Sequence, residues 1–189
     1  FDLRLLRPRT MLLYLVGETT GPGAFEVSAA SRVSEVLTDP LFGPNASRRN
    51  VELRRRTPQG EVHIRVDLTR FRLTGYMAHD PLLREGDVVF LPVAKEQVWI
   101  DGAVGRAGPY ELAPGDSLST LFALAGGPRA NAADPATLVQ FRDATHTDSV
   151  SFRVSDVLAR SFDRVLRGGD RVFVYHRPGF HELEGAGIL

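Results

Sequence analysis

The chain has 189 residues, of which 43% are hydrophobic and 24% are charged, a composition typical of a globular protein. Its 23 basic and 23 acidic residues give zero formal net charge, which argues against a surface selected for nucleic acid or for an anionic membrane. The absence of cysteine excludes disulfides, thiolate metal sites and cysteine nucleophiles.

The first elements along the chain form a predicted hairpin followed by a helix. Met11 to Val16 is an apolar run, far shorter than the roughly 20 residues that span a bilayer, and it predicts a buried strand. The sequence Gly21-Pro22-Gly23 predicts the reversal into a second strand. Ser31 stands just before apolar residues at helical spacing, so it predicts a serine-capped helix that ends near Pro40.

A second hairpin and a closing strand complete the first half. Residues 50–56 and 61–66 alternate apolar with polar side chains, which predicts two paired strands with one wet face. Gly86 and Asp87 then predict a tight turn before a strand at 88–92, because glycine allows positive φ and aspartate accepts hydrogen bonds from the turn backbone.

The second half of the chain repeats the first. The turn residues recur about 85 positions later, with Gly17 matching Gly102, Gly23 matching Gly108, Gly86 matching Gly169 and Asp87 matching Asp170. Each copy therefore predicts the order strand, strand, helix, strand, strand, short helix, strand. This order indicates the α+β class, with two tandem β-grasp domains that each wrap a mixed sheet around one main helix.

The repeat also sets the expected domain boundaries. We predict a first β-grasp domain at residues 9–94 and a second at residues 95–178. Residues 179–189 resemble the start of a third module, so the chain is expected to be part of a longer repeat protein.

The second predicted helix begins at a sequence that two functions could explain. Asp116 and Ser117 lie in Gly-Asp-Ser-Leu, as in the nucleophile block of GDSL-type esterases, and Asp143 and His146 imitate the later block of those enzymes. The blocks are close together in a chain too small for such a fold, and the first copy has Arg32 at the serine position. We therefore expect Asp116 to cap the helix and predict no catalytic residues.

Several segments of the second copy carry a family resemblance. Residues 101–118, Leu124 to Pro128 and Gly169 to Val174 resemble the soluble-ligand-binding β-grasp (SLBB) family, and the same signature extends over most of both copies. Tandem modules of this kind are typical of polysaccharide export proteins, which build oligomeric outer-membrane channels for capsule or exopolysaccharide.

The resemblance implies a function, a location and partners. It implies a non-enzymatic periplasmic module that supports oligomeric assembly, or contact with a polysaccharide or with the export machinery, and that is associated with the outer membrane. We expect a homo-oligomer in the full-length protein and no nucleic-acid partner. The sequence predicts no metal site and no cofactor, since the five histidines show no paired ligand spacing.

A carbohydrate-binding module remains an alternative. Trp99, Arg106 and Tyr110 lie around the first hairpin of the second copy and could stack on a sugar ring, although strand aromatics more often belong to the core. A basic stretch in the first copy offers a second surface for an acidic glycan, but we expect it to form a solvated strand face. This stretch consists of Arg48, Arg49, Arg54, Arg55 and Arg56.

Overall fold

The computed structural model describes residues 9–141 and 146–178, and the chain divides into two compact units between Lys95 and Glu96. The predicted division lies one residue earlier. The predicted lead-in at residues 179–189 and the esterase-like Asp143 lie outside the described residues. Within residues 9–141 and 146–178, none of the helices combines the length and the apolar character needed to cross a membrane.

The first unit consists of a five-stranded sheet and short helices. Its strands are β1 (Thr10–Gly17), β2 (Gly23–Ser28), β3 (Val51–Thr57), β4 (Gly60–Val66) and β5 (Val88–Leu91). Its α-helices are α1 (Val33–Val36) and α2 (Leu68–Thr74), with 3-10 turns at Asp39–Leu41 and Met77–His79. The strand order is β2-β1-β5-β3-β4, and only β1 and β5 are parallel neighbours. The last strand therefore joins the two hairpins.

The second unit has the same arrangement. Its strands are β6 (Gln97–Gly102), β7 (Gly108–Glu111), β8 (Ala136–Phe141), β9 (Thr147–Phe152) and β10 (Arg171–Val174). Its helices are α3 (Leu118–Leu124) and α4 (Val154–Leu158). The strand order is β7-β6-β10-β8-β9, again with a single parallel pair, β6 with β10. Two mixed sheets with few helices confirm the predicted α+β class.

Each unit has its own apolar core on one face of its sheet. In β1 the alternate residues Met11, Leu13 and Leu15 are buried, because successive side chains of a strand point to opposite faces. In the second unit Val98 and Ile100 of β6 are buried in the same way. The core of each unit comes from residues of that unit alone.

The helix predicted to start at Ser31 is shorter than expected and is not capped by that serine. Helix α1 contains only four residues and has Arg32 as its N-cap residue, and the carboxylate of Glu35 accepts a hydrogen bond from the Arg32 N–H. Pro40 lies in a separate 3-10 turn because proline cannot continue the α-helical hydrogen-bond pattern. In the second unit α3 has no proline within its length and extends over seven residues.

Candidate functional site

The structure does not place Trp99 and Tyr110 on one surface. Trp99 is paired with Pro109, whereas Tyr110 is paired with Val98. Paired residues share a face of the sheet and successive residues alternate, so Trp99 and Tyr110 lie on opposite faces. Tyr110 packs against the core, and the guanidinium of Arg171 lies 5.4 Å from the centre of the Trp99 ring on the outer face.

Arg106 and Tyr110 are joined by hydrogen bonds that connect the first hairpin to helix α3. The Tyr110 hydroxyl donates to the Arg106 carbonyl at 2.7 Å, and Arg106 Nη2 donates to the Leu124 carbonyl at 3.0 Å. The Arg106 N–H donates to the Ala125 carbonyl. These contacts fix the hairpin against the end of the helix. As a ligand-binding set with Trp99, the residues stay a prediction.

The repeated aspartates lie at matching turns in the two units. Oδ2 of Asp87 accepts a hydrogen bond from the Arg84 N–H at 2.8 Å, and Oδ2 of Asp170 accepts one from the Arg167 N–H at 2.9 Å. Both aspartates are buried. The glycines of the predicted turns all have positive φ: Gly17, Gly23, Gly86, Gly102, Gly108 and Gly169.

In the first unit a strand arginine completes the coordination of the turn aspartate. Nε of Arg55 donates to Oδ1 of Asp87 at 2.9 Å, and Nη2 of Arg55 donates to Oδ2 at 2.8 Å. Nη2 also donates to the Leu82 carbonyl at 2.8 Å. The hydrogen bond with Asp87 raises the pKa of Arg55 above its ordinary value, although partial burial opposes the shift.

In the second unit glutamine replaces this arginine. Nε2 of Gln140 donates to Oδ2 of Asp170 at 2.9 Å, so both hydrogen bonds to this carboxylate fall on the same oxygen. Oδ1 of Asp170 is buried and has no hydrogen-bond partner among the residues that the structure describes. The two units therefore differ in whether both oxygens of this buried carboxylate accept hydrogen bonds from the described residues.

In each unit a second aspartate, from a loop that is distant in the sequence, caps the main helix. The carboxylate of Asp80 accepts hydrogen bonds from the N–H and the hydroxyl of Ser34, at 2.8 and 2.7 Å. The carboxylate of Asp163 accepts the same pair from Ser119, at 2.9 and 2.6 Å. Sequence reasoning missed both residues, although each stands seven positions before a turn aspartate. The recurrence of this seven-residue spacing in both copies is the sequence signal that could have identified them.

The comparison with known proteins identifies the second unit. Residues 97–151 match the family model described as SLBB domain. The match covers β6, β7 and α3, and reaches into the second hairpin of the unit. The second unit is an SLBB domain. No curated protein matches the chain at a significant level.

The expected role of Asp116 in the SLBB domain is corrected by the structure. Asp116 is not the N-cap residue of helix α3; its Oδ2 accepts a hydrogen bond from the Ala113 N–H at 2.9 Å, which closes the turn before the helix. Ser117 is the N-cap residue but makes no side-chain cap. Asp163 caps the helix instead.

The contacts of Ser117 give no support to esterase chemistry. Its hydroxyl lies 3.1 Å from the hydroxyl of Ser119 and donates to Oδ2 of Asp163 at 3.0 Å. Among the residues that the structure describes, no histidine contacts this hydroxyl, and no group of three or more acidic or histidine side chains could hold a metal ion. A serine nucleophile needs a base within hydrogen-bonding distance.

The cap at Asp163 predicts a pH dependence for the SLBB domain. Partial burial alone would raise the pKa of Asp163, but hydrogen bonds from Ser119 and Ser117 outweigh it and lower this pKa below its ordinary value. Because the folded-state pKa is depressed, the carboxylate stabilises the fold above about pH 3.9 and loses this contribution as the pH falls through the folded-state pKa.

We expect Asp163→Asn to destabilise the SLBB domain at pH 7 and to have a smaller effect at pH 3. Urea unfolding followed by the fluorescence of Trp99, the only tryptophan, measures the domain that contains it. An equal loss of unfolding free energy at both pH values would contradict the proposed electrostatic origin of the effect.

The basic stretch of the first unit is not a uniformly solvated face. Arg49 forms a salt bridge with Asp67 in which Nη2 and Oδ2 are 2.9 Å apart and both side chains are only 3% exposed. Arg55 binds the buried Asp87, as described above. The expectation of a wet arginine face is wrong for these two residues, because each arginine compensates a buried carboxylate.

The remaining paired arginines of the stretch lie nearer the surface. Arg48 pairs with Asp39 at 2.6 Å, and Arg54 pairs with Glu52. The hydrogen bonds from Arg48 and Arg54 hold the pKa values of Asp39 and Glu52 below their ordinary values. The four arginines so paired are already engaged within the unit, which weakens the case for an acidic-glycan surface here.

The outer face of the first sheet carries an exposed apolar surface. Leu12 and Tyr14 of β1 are each 45% exposed, and Val16 lies partly buried on the same face. Val88 and Phe90 of β5 pair with Tyr14 and Val16 and continue this surface on the neighbouring strand. We call these five residues the β1–β5 face. A contiguous exposed apolar surface is a candidate contact surface.

Proposed function

We propose that this chain is a non-enzymatic interaction module of a periplasmic polysaccharide export protein, and that it supports the oligomeric assembly of that protein. SLBB domains are ligand-binding β-grasp modules, and the second unit belongs to that family. The first unit has the same strand order, which supports a tandem arrangement. The export role and the location at the outer membrane rest on the family resemblance.

The β1–β5 face is the observation that carries the assembly role. Its apolar centre is bordered by residues of both signs on β3 and β4, where Glu52 is paired with Arg65 and Arg54 with His63. A surface with an apolar centre and a border of mixed charge can meet a second copy of itself without like-charge repulsion. We therefore assign a neighbouring copy of the same chain as the occupant of this face.

Weakening the apolar centre is expected to weaken self-association. The double variant Leu12→Thr and Tyr14→Thr keeps the β propensity of the strand and removes most of the exposed apolar surface. We expect its dissociation constant to rise by at least about tenfold, measured by sedimentation velocity over a range of protein concentrations.

Val62→Thr is the matched control. Val62 is 43% exposed on the same sheet, but it pairs with Arg55 and lies on the opposite face. It should leave self-association unchanged. A parent protein that stays monomeric at all concentrations, or a double variant that associates like the parent, would remove the assembly role.

The alternative of sugar capture through Trp99, Arg106 and Tyr110 has weaker support. The three residues do not converge, and the guanidinium of Arg171 already lies over the Trp99 ring. A sugar ring stacks on an aromatic face that is free to receive it. The geometry therefore favours assembly over capture by these residues.

A further inference from the structure

The two units provide an internal comparison at the buried turn aspartate. In the first unit Oδ1 of Asp87 binds Nε of Arg55, while Oδ2 binds the turn N–H and Nη2 of Arg55. In the second unit Oδ2 of Asp170 binds the turn N–H and Gln140, and Oδ1 is unpaired among the described residues. The unpaired oxygen is thus the counterpart of the one that binds Nε of the arginine.

The other hydrogen-bond acceptor of Arg55, a backbone carbonyl, also has a counterpart in the second unit. Nη2 of Arg55 binds the Leu82 carbonyl, and Leu82 corresponds to Val165, two residues after the capping aspartate in each unit. Val165 lines a cleft of about 570 Å³ beside Gln140. The second unit therefore has space next to the position where the first unit has a guanidinium group.

The described residues that line the cleft form a chemically mixed set. They are Gln140, Phe141, Asp148, Arg164, Val165 and Arg167. A buried carboxylate with an unpaired oxygen is costly, and a charged donor relieves this cost more than a neutral one.

The charges around the cleft allow a cation to enter. Among the residues that the structure describes, Asp148 and the buried Asp170 oppose Arg164 and Arg167, two charges of each sign. In the first unit Arg84 occupies the position of Arg167, and Arg55 is bound there despite it. Arg164 directs its Nη1 towards Oε1 of Gln140 and lies against the Phe162 ring.

We infer that the cleft of the SLBB domain binds a guanidinium group, which pairs with Asp170 as Arg55 pairs with Asp87 in the first unit. The ligand displaces the Gln140 amide, donates to the free Oδ1 and lies beside Val165. A planar guanidinium fits because its parallel N–H donors match the two oxygens of a carboxylate. This site is independent of the proposed assembly face, which lies in the other unit.

Titration with methylguanidinium chloride tests the site directly. We expect saturable changes in the NMR signal of the Arg167 backbone amide, because this N–H binds the same carboxylate. Methylammonium chloride at the same ionic strength should give at least about tenfold weaker binding, since it lacks the paired donors. Equal shifts with the two salts would overturn the assignment.

Exchanging the residues of the two units supplies the controls. Gln140→Arg is expected to fill the cleft with the chain's own guanidinium and to weaken methylguanidinium binding by at least about tenfold. Arg55→Gln is expected to create a second binding event, seen at the Arg84 amide of the first unit. Unchanged binding in Gln140→Arg would refute the inference, and so would the absence of new shifts in Arg55→Gln. Gln140→Ala removes the amide that the ligand displaces and enlarges the cleft, so this variant should still bind.

A further titration distinguishes the sources of the guanidinium. Binding of both methylguanidinium and N-acetylarginine amide would assign the arginine side chain of a protein partner. Binding of methylguanidinium alone would assign a small free guanidino compound. Both results support the site, whereas N-acetyllysine amide binding as tightly as the arginine compound would contradict it.

Discussion

Replacing Asp67 with asparagine is expected to lower the free energy of unfolding of the first unit by about 3 to 5 kcal/mol. Nε and Nη2 of Arg49 lie 3.1 and 2.9 Å from Oδ2 of Asp67, and both side chains are almost fully buried. The substitution removes the carboxylate that pairs with this buried guanidinium. Asparagine has nearly the same volume and can still cap α2 by accepting from the Arg70 N–H, so the loss reports mainly the charge.

Urea unfolding followed by far-UV circular dichroism and by tryptophan fluorescence measures this loss. Circular dichroism reports both units, whereas Trp99 fluorescence reports the second. The loss of stability should appear in the circular dichroism transition, and the transition followed by Trp99 fluorescence should stay unchanged. Asp39→Asn is the matched control, because Asp39 and Arg48 form an exposed pair, and it should change little. A loss below about 1 kcal/mol in Asp67→Asn would show that the buried pair is not a main support of the unit.

Gly102→Ala is expected to destabilise the SLBB domain by about 4 kcal/mol or more, because backbone strain and a steric clash act together. Gly102 has a φ of +90°, and a Cβ atom there would lie 1.9 Å from the Val174 carbonyl oxygen. That carbonyl accepts a hydrogen bond from the Ala103 N–H at 2.8 Å, so it cannot move away without breaking the parallel pairing of β6 and β10. The fluorescence of Trp99 follows the resulting loss.

Gly108→Ala separates the two causes. Gly108 has a φ of +139°, but a Cβ atom there would meet nothing within 4 Å. Only backbone strain should then act, with an expected loss of about 1 to 3 kcal/mol. Equal losses in the two variants would show that the close approach of the Val174 carbonyl contributes nothing.

The strands and turns were predictable from the sequence because their causes are local. Alternation predicted β3 and β4, and the repeated glycines predicted turns at the same places in both copies. Helix α1 was predicted too long, because apolar spacing shows which face is buried but not where hydrogen bonding stops. The helix ends at Val36, four residues before Pro40, which lies in the following 3-10 turn.

The candidate site was less predictable because its contacts join residues far apart in the chain. The partners of Ser34 and Ser119 lie 46 and 44 residues away, beyond the reach of any local pattern. Arg49 and Asp67, like Arg55 and Asp87, are paired residues that lie far apart in the chain, so local sequence patterns do not reveal these pairs. The basic stretch was therefore interpreted as a solvated strand face. The opposite orientations of Trp99 and Tyr110 depend on the strand register, which the sequence left open.

The central position of the last strand has a consequence for how each unit is made. β5 and β10 lie between the two hairpins of their sheets, and among the described strands they are the last of their units to be synthesised. A nascent chain therefore carries two unconnected ribbons with open inner edges until these final residues arrive. Such edges invite pairing with other chains, so both sheets stay vulnerable to aggregation up to the end of their translation.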